Sequence, residues 1–178
     1  NTNIGKSPLF PKYETFADFL SNTIIGKRKH TISEFFYKTQ HIQQLGGYQI
    51  YPAGYYADDA SILLFCNNNG IASTEESLIV YRKSENNISS SSCWNVEKSK
   101  AALKYYQWII DEFPMKQQDE QIIQQRLDFD LYTYFSAALN IHQSIQILNC
   151  IPVNIWNWKK KLLCLYKFIL NSYAKQIK

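Results

Sequence analysis

The hydrophobic and polar positions of this chain change rhythm once, at the serine run 89–92. Before it, short apolar segments alternate with turn signals; after it, apolar residues recur at helical spacing over long stretches. Residues 15–23 place Phe16, Phe19 and Leu20 on one face and predict a helix. The β-branched and aromatic residues of 32–39 predict a strand. Residues 39–45 predict a short helix that stops at Gly46-Gly47, where glycine can take the left-handed conformation that ends a helix. The aromatic loop YQIYPAGYY leads into Asp58-Asp59, which opens an apolar helix to about Asn67; residues 71–84 then predict one or two short strands, with 77–81 the most strand-like.

Beyond the serines the pattern predicts helices at about 95–112, stopped by Pro114, then 119–139, 142–149 and 154–176. The second aligns Ile123, Leu127, Leu131, Tyr134, Phe135 and Ala138 in a core-facing stripe. The last aligns Ile155, Trp158, Leu162, Leu165, Ile169 and Tyr173 and puts its lysines on other faces. The two grammars divide the chain into 1–92 and 93–178, and no internal repeat is visible.

Composition narrows the class. With 178 residues the chain can hold one full domain, or a small domain with an appendage. No apolar run approaches the roughly 18 residues of a membrane span, and no signal pattern follows Asn1, so the start reads as a boundary rather than a targeting segment. Cys66, Cys93, Cys150 and Cys164 lie far apart with no His at ligand spacing, which suggests reduced thiols, a soluble chain and a cytoplasmic setting rather than a zinc site. The net charge of +4 is unevenly placed: residues 151–178 carry six lysines and no acid, and the remainder has 13 basic against 15 acidic residues.

Two adjacent acids at a helix start have a simple reading, since carboxylates there cap free N–H groups and meet the positive end of the helix dipole. Their neighbours add to it. Gly46-Gly47-Tyr48, then Tyr56-Ala57-Asp58-Asp59, then Asn69-Gly70-Ile71-Ala72, then a segment from Leu78 through Tyr81-Arg82 to Asn86-Asn87-Ile88-Ser89 follow in an order that resembles the acceptor half of family-2 glycosyltransferases of the GT-A fold. The resemblance covers about 15–92. It implies an α/β to mostly α chain: the C-terminal part of a GT-A-like mixed sheet at 1–92, with a helical extension at 93–178. It also implies an inverting transfer from a nucleotide-sugar donor to a glycan or lipid-linked hydroxyl. Asp59 would be the catalytic base, and Asp58, Gly46, Gly47, Tyr48 and Tyr56 would bind the acceptor. The nucleotide-binding half, with its divalent Mn or Mg ion, is expected upstream of Asn1, so the fragment alone would be inactive and would hold no metal.

The chemistry asks for a carboxylate within hydrogen-bond reach of the attacking hydroxyl. The sequence departs from the pattern in three ways. Asp58 stands where Glu is usual, Ser84 where many members have His, and the Gln-x-x-Arg-Trp motif of processive members is absent, which points to single additions.

Lys27-Arg28-Lys29-His30 reads as a solvated basic loop, with phosphate binding the sharper option. His41 and His142 lack partners at ligand spacing, and the Asn87 acceptor pattern matters only in a secreted protein. Tyr48, Tyr51, Tyr55 and Tyr56 either stack on a sugar or pack their loop down. Trp156, Trp158 and Lys159-Lys160-Lys161 match helices that lie on anionic membranes; the alternative is a packed helix with a solvated basic face. A peripheral contact at the inner membrane face through 154–178 and a homodimer both stay open. Nucleic-acid binding is disfavoured, because no basic stripe crosses the whole chain. The rival to the transferase is a non-catalytic helical interaction module that binds a protein through the 119–139 stripe.

Overall fold

The computed structural model describes residues 10–28, 32–67, 69–74 and 91–176, with 32 and 171–176 described by backbone alone. The chain forms two units: Asn1–Gln49 with Ala57–Lys83, and Ile50–Tyr56 with Ser84–Lys178. Seven α-helices run through the described residues, and strand structure there is confined to one short antiparallel pair. The expected GT-A mixed sheet is therefore corrected to a mainly helical fold.

In the first unit, strand β1 (Tyr13–Glu14) pairs with β2 (Ile71–Ala72), Tyr13 opposite Ala72 and Glu14 opposite Ile71. Helix α1 (Phe16–Ile24) begins at Thr15, whose hydroxyl accepts the Asp18 N–H and so satisfies one of the free donors at a helix start. It buries Phe19, Leu20 and Ile24. Helix α2 (Thr39–Gln44) closes as the glycines predict: Gly46 and Gly47 have φ of 81° and 85°, and the Gly47 N–H reaches back to the Ile42 carbonyl at 2.9 Å. Helix α3 (Ala57–Cys66) is apolar around most of its circumference and buries Ala60, Ile62, Leu63, Phe65 and Cys66, which makes it the centre of this unit.

Gly70, after α3, is set by geometry. Its φ is 65°, and a Cβ there would lie 2.2 Å from the Glu14 carbonyl oxygen, so only glycine lets the chain turn back into β2. Residues 32–38 correct the predicted strand. They form a 3-10 turn at Ile32–Glu34 and then an unpaired extended segment. The aromatic residues that suggested a strand do alternate in facing: Phe35 and Tyr37 are half-buried and Phe36 is exposed. The cause is aromatic packing, Phe35 on Phe19 at 6.3 Å and Tyr37 edge-on to Phe65 at 5.0 Å, with no partner strand in the described residues. The predicted strand at 77–81 and the Tyr81-Arg82 to Ser89 stretch lie outside the described residues.

Arg28 also departs from its reading. It is not part of a solvated loop: its side chain is 6% exposed, and Nη1 lies 2.7 Å from Oε2 of Glu14, itself 3% exposed. The guanidinium covers the Phe10 ring at 3.7 Å. Burial lowers its pKa and Glu14 opposes that shift. Lys29 and His30 lie outside the described residues.

The second unit is a helical assembly of α4 (Asn95–Glu112), α5 (Gln117–Ser136), α6 (Ile141–Cys150) and α7 (Trp158–Gln176). The segment Ile50–Tyr56, with a 3-10 turn at Pro52–Gly54, belongs to the same unit. Helices α4 and α5 pack on each other, and Ala101, Ala102, Ile109 and Phe113 on one side and the α5 stripe of Ile123, Leu127, Leu131, Tyr134 and Phe135 on the other are buried in the core. Asn95 fixes one end: its amide donates to the Tyr134 and Ala137 carbonyls, which the end of α5 would otherwise leave without donors. Asn140 caps α6 by accepting the Gln143 N–H at 2.9 Å, and Gln143 in turn accepts the Leu139 N–H.

Candidate functional site

The residues singled out from the sequence fall in both units. Asp58 and Asp59 occupy the first turn of α3, both half-buried, and Asp58 Oδ1 accepts the Asp59 N–H at 3.0 Å. Asp58 thus does what an acid at a helix start ordinarily does. Next to them, Ser61 donates to the Ala57 carbonyl and accepts the Gln49 N–H, tying the preceding loop to the helix. Gly46 and Gly47 end α2 with open space where a Cβ would be. Tyr48 is exposed and rests edge-on against Phe65 at 5.5 Å. Tyr56 belongs to the second unit. Of the loop tyrosines, Tyr51, Tyr55 and Tyr56 pack their segment onto neighbours of that unit.

The tyrosines converge on a carboxylate that sequence reasoning missed. Asp130, on the buried stripe of α5, accepts the hydroxyls of Tyr106 at 2.6 Å and Tyr56 at 2.9 Å through one oxygen, with Arg126 Nε at 3.7 Å. Tyr56 and Tyr134 share a hydrogen bond of 3.0 Å, and the Tyr56 ring stacks on Tyr105 at 4.7 Å. Burial pushes the Tyr56, Tyr106 and Tyr134 hydroxyls well above the ordinary tyrosine pKa, and the charge on Asp130 adds to it. All three therefore stay protonated, and the first two remain donors to Asp130. Such a network holds shape; it joins residues 50–56, α4 and α5, and it offsets the left-handed backbone of Tyr56 (φ 65°). The available signal was an acid set between Leu127 and Leu131 on an apolar stripe.

Helix α7 is the largest departure from expectation. Of the stripe Ile155, Trp158, Leu162, Leu165, Ile169 and Tyr173, the structure leaves Trp158, Leu162 and Ile169 exposed and Ile155 and Leu165 half-buried, the Tyr173 side chain lying outside the described residues. The buried side contains Lys161 and Cys164, with Phe168 half-buried beside them. Two contacts fix this orientation. Lys161 Nζ donates to the Leu148 carbonyl at 2.7 Å and to the Ile151 carbonyl, both at the C-terminal end of α6, where a cation meets the negative end of the helix dipole. Before the helix, fully buried Trp156 donates its indole N–H to Asp128 at 2.5 Å, and Lys160 bonds the same oxygen. Asn157 caps the first turn by accepting the Lys160 N–H. Phe168 then meets Phe135 at 6.0 Å.

What remains outside is apolar. Trp158 is 65% exposed, Leu162 64% and Tyr166 60%, with Leu163, Ile169 and Leu170 also exposed. At about 100° per residue these six fall within an arc of roughly 140°. The same unit has an open cleft of about 630 Å³ between α4 and α6, lined by Cys93, Glu97, Lys100, His142, Gln146 and Cys150. Burial pushes the Cys150 thiol up to about 11, away from nucleophilic use. In the first unit, His41 donates through Nε2 to the Phe65 carbonyl at 2.8 Å, a structural role. Among the described residues no group of His, Cys, Asp or Glu is placed to hold a metal ion, and no helix is long and apolar enough to cross a membrane.

Comparison with protein-family descriptions, curated proteins and solved structures finds no match.

Proposed function

We propose that the chain is a helical interaction module, not an enzyme, and that it docks through the outward face of α7. The carrying observation is the exposure of Trp158, Leu162, Leu163, Tyr166, Ile169 and Leu170 on one side of a helix whose other side is fixed by buried polar bonds. With roughly 100 Å² of surface each, they exceed the few hundred Å² at which an apolar patch marks an interaction site. The α5 stripe first suggested for docking is consumed by the unit's own core. Four free cysteines suit a reducing, cytoplasmic compartment.

The test is a neutral solvatochromic dye, Nile red, added to the purified chain and to a Leu162→Ser/Tyr166→Ser variant. A blue-shifted, enhanced emission that the variant loses is expected; equal emission from both would show that α7 does not present this face.

A second reading, the acceptor half of an inverting glycosyltransferase, keeps one supporting observation: the half-buried Asp58-Asp59 pair at the start of α3. In it Asp59 takes the proton of the acceptor hydroxyl while Asp58 caps. Asp59→Asn, placed in a chain that also carries a nucleotide-sugar-binding half, should then reduce turnover by at least about a hundredfold. Turnover within a few-fold of the parent would rule it out.

A further inference from the structure

We propose that the occupant of the α7 face is an anionic lipid surface, on which the helix lies in the plane of the headgroups; this rests on the docking role given to α7 above. Three features specify a bilayer interface. First, the helix is amphipathic but not apolar enough to cross a membrane, so it can enter only to the depth of its exposed side chains. Second, that face carries Trp158 and Tyr166 beside Leu162, Leu163, Ile169 and Leu170, the mixture of rings and aliphatic groups that partitions between headgroups and acyl chains. Third, no Asp or Glu occurs from residue 131 to 178, while exposed Lys159 lies within the apolar arc and exposed Lys167 on its border. Lysines so placed bury their stems and lift their ammonium groups to phosphates.

Charge also decides against the nearest competitor. Two copies meeting through α7 would bring Lys159 and Lys167 of each against those of the other, with no acid on either helix to compensate. The internal use of Lys161 completes the arrangement. Its ammonium is spent on the α6 carbonyls, so turning the apolar side inward would give up those two bonds.

The experiment is vesicle flotation with the purified chain, using phosphatidylcholine alone and phosphatidylcholine with phosphatidylserine. Binding to the serine-containing vesicles is expected to be at least about tenfold tighter and to weaken as salt is raised. Leu162→Ser/Tyr166→Ser should lose binding, and Lys159→Glu/Lys167→Glu should lose the preference for anionic lipid while keeping its circular dichroism. Equal binding to both vesicles, no binding to either, or a stable dimer that buries this face would overturn the proposal. If vesicles fail while Nile red still reports the exposed face, the lipid falls and the docking role stands. If the dye fails as well, both fall.

Discussion

Replacing Arg28 with methionine tests the first unit at its most committed point. The guanidinium and the Glu14 carboxylate are 6% and 3% exposed and 2.7 Å apart, and Asn22 donates to the other Glu14 oxygen at 3.2 Å. Methionine keeps most of the volume over Phe10 but leaves Glu14 a buried, uncompensated charge. Breaking such a pair costs about 3–5 kcal/mol. In a protein of this size that is a fall in melting temperature of about 6–20 °C. A Glu14→Leu/Arg28→Met double variant removes the orphaned charge and should recover most of the loss, because a buried pair replaced by apolar groups is close to neutral. The four tryptophans, Trp94, Trp108, Trp156 and Trp158, all lie in the second unit, so far-ultraviolet circular dichroism in urea is the appropriate probe. Were Arg28→Met to change stability by less than about 0.5 kcal/mol, as a solvated surface charge does, the buried pair would be refuted.

Three further outcomes follow from the same geometry. Gly70→Ala should destabilise by about 2 kcal/mol or more, since it adds a 2.2 Å clash to an unfavourable φ, whereas Gly46→Ala, with open space around it, should cost about 1 kcal/mol; thermal melts separate them. The hydroxyls of Tyr56, Tyr106 and Tyr134 are held above the ordinary value of 10.0, so the folded chain keeps protons that the unfolded chain releases. Stability is then full below about pH 10 and declines above it, and absorbance at alkaline pH should show these rings ionising only as the chain unfolds. Exposed Cys93 should react with a disulfide reagent at neutral pH well before Cys66, which is buried and pushed up to about 12; comparable rates would contradict the burial.

Local signals carried much of the helical half. The starts and stops of α4, α5 and α6 lie within a few residues of where Pro114, Asp119 and the apolar spacing put them, and the α5 stripe is the core as read. What escaped was nonlocal. Segment 32–38 has the composition of a strand, but composition cannot supply the neighbouring strand that pairing needs, and aromatic contacts with Phe19 and Phe65 took its inward side chains instead. Arg28 looked like one member of a basic run because its partner, Glu14, lies across α1.

On α7 either side offers apolar residues, so periodicity alone could not choose between them. The choice was made by two carbonyls at the end of α6 that attract Lys161, an interaction with no signature in the helix's own sequence. Candidate chemistry was legible to a similar extent. Asp58-Asp59 does open a helix, but the carboxylate that gathers hydroxyls is Asp130, whose partners Tyr56 and Tyr106 come from distant parts of the chain.

Thiol labelling reads the orientation of α7, on which its docking role depends, directly. In a Leu162→Cys variant, brief maleimide treatment of the native chain followed by peptide mass spectrometry compares position 162 with native Cys164 two residues on. Position 162 should be modified rapidly, and Cys164, which is buried against the unit, only after unfolding. Rapid modification of Cys164 with protection of position 162 would mean that α7 turns its apolar face inward and offers no docking surface.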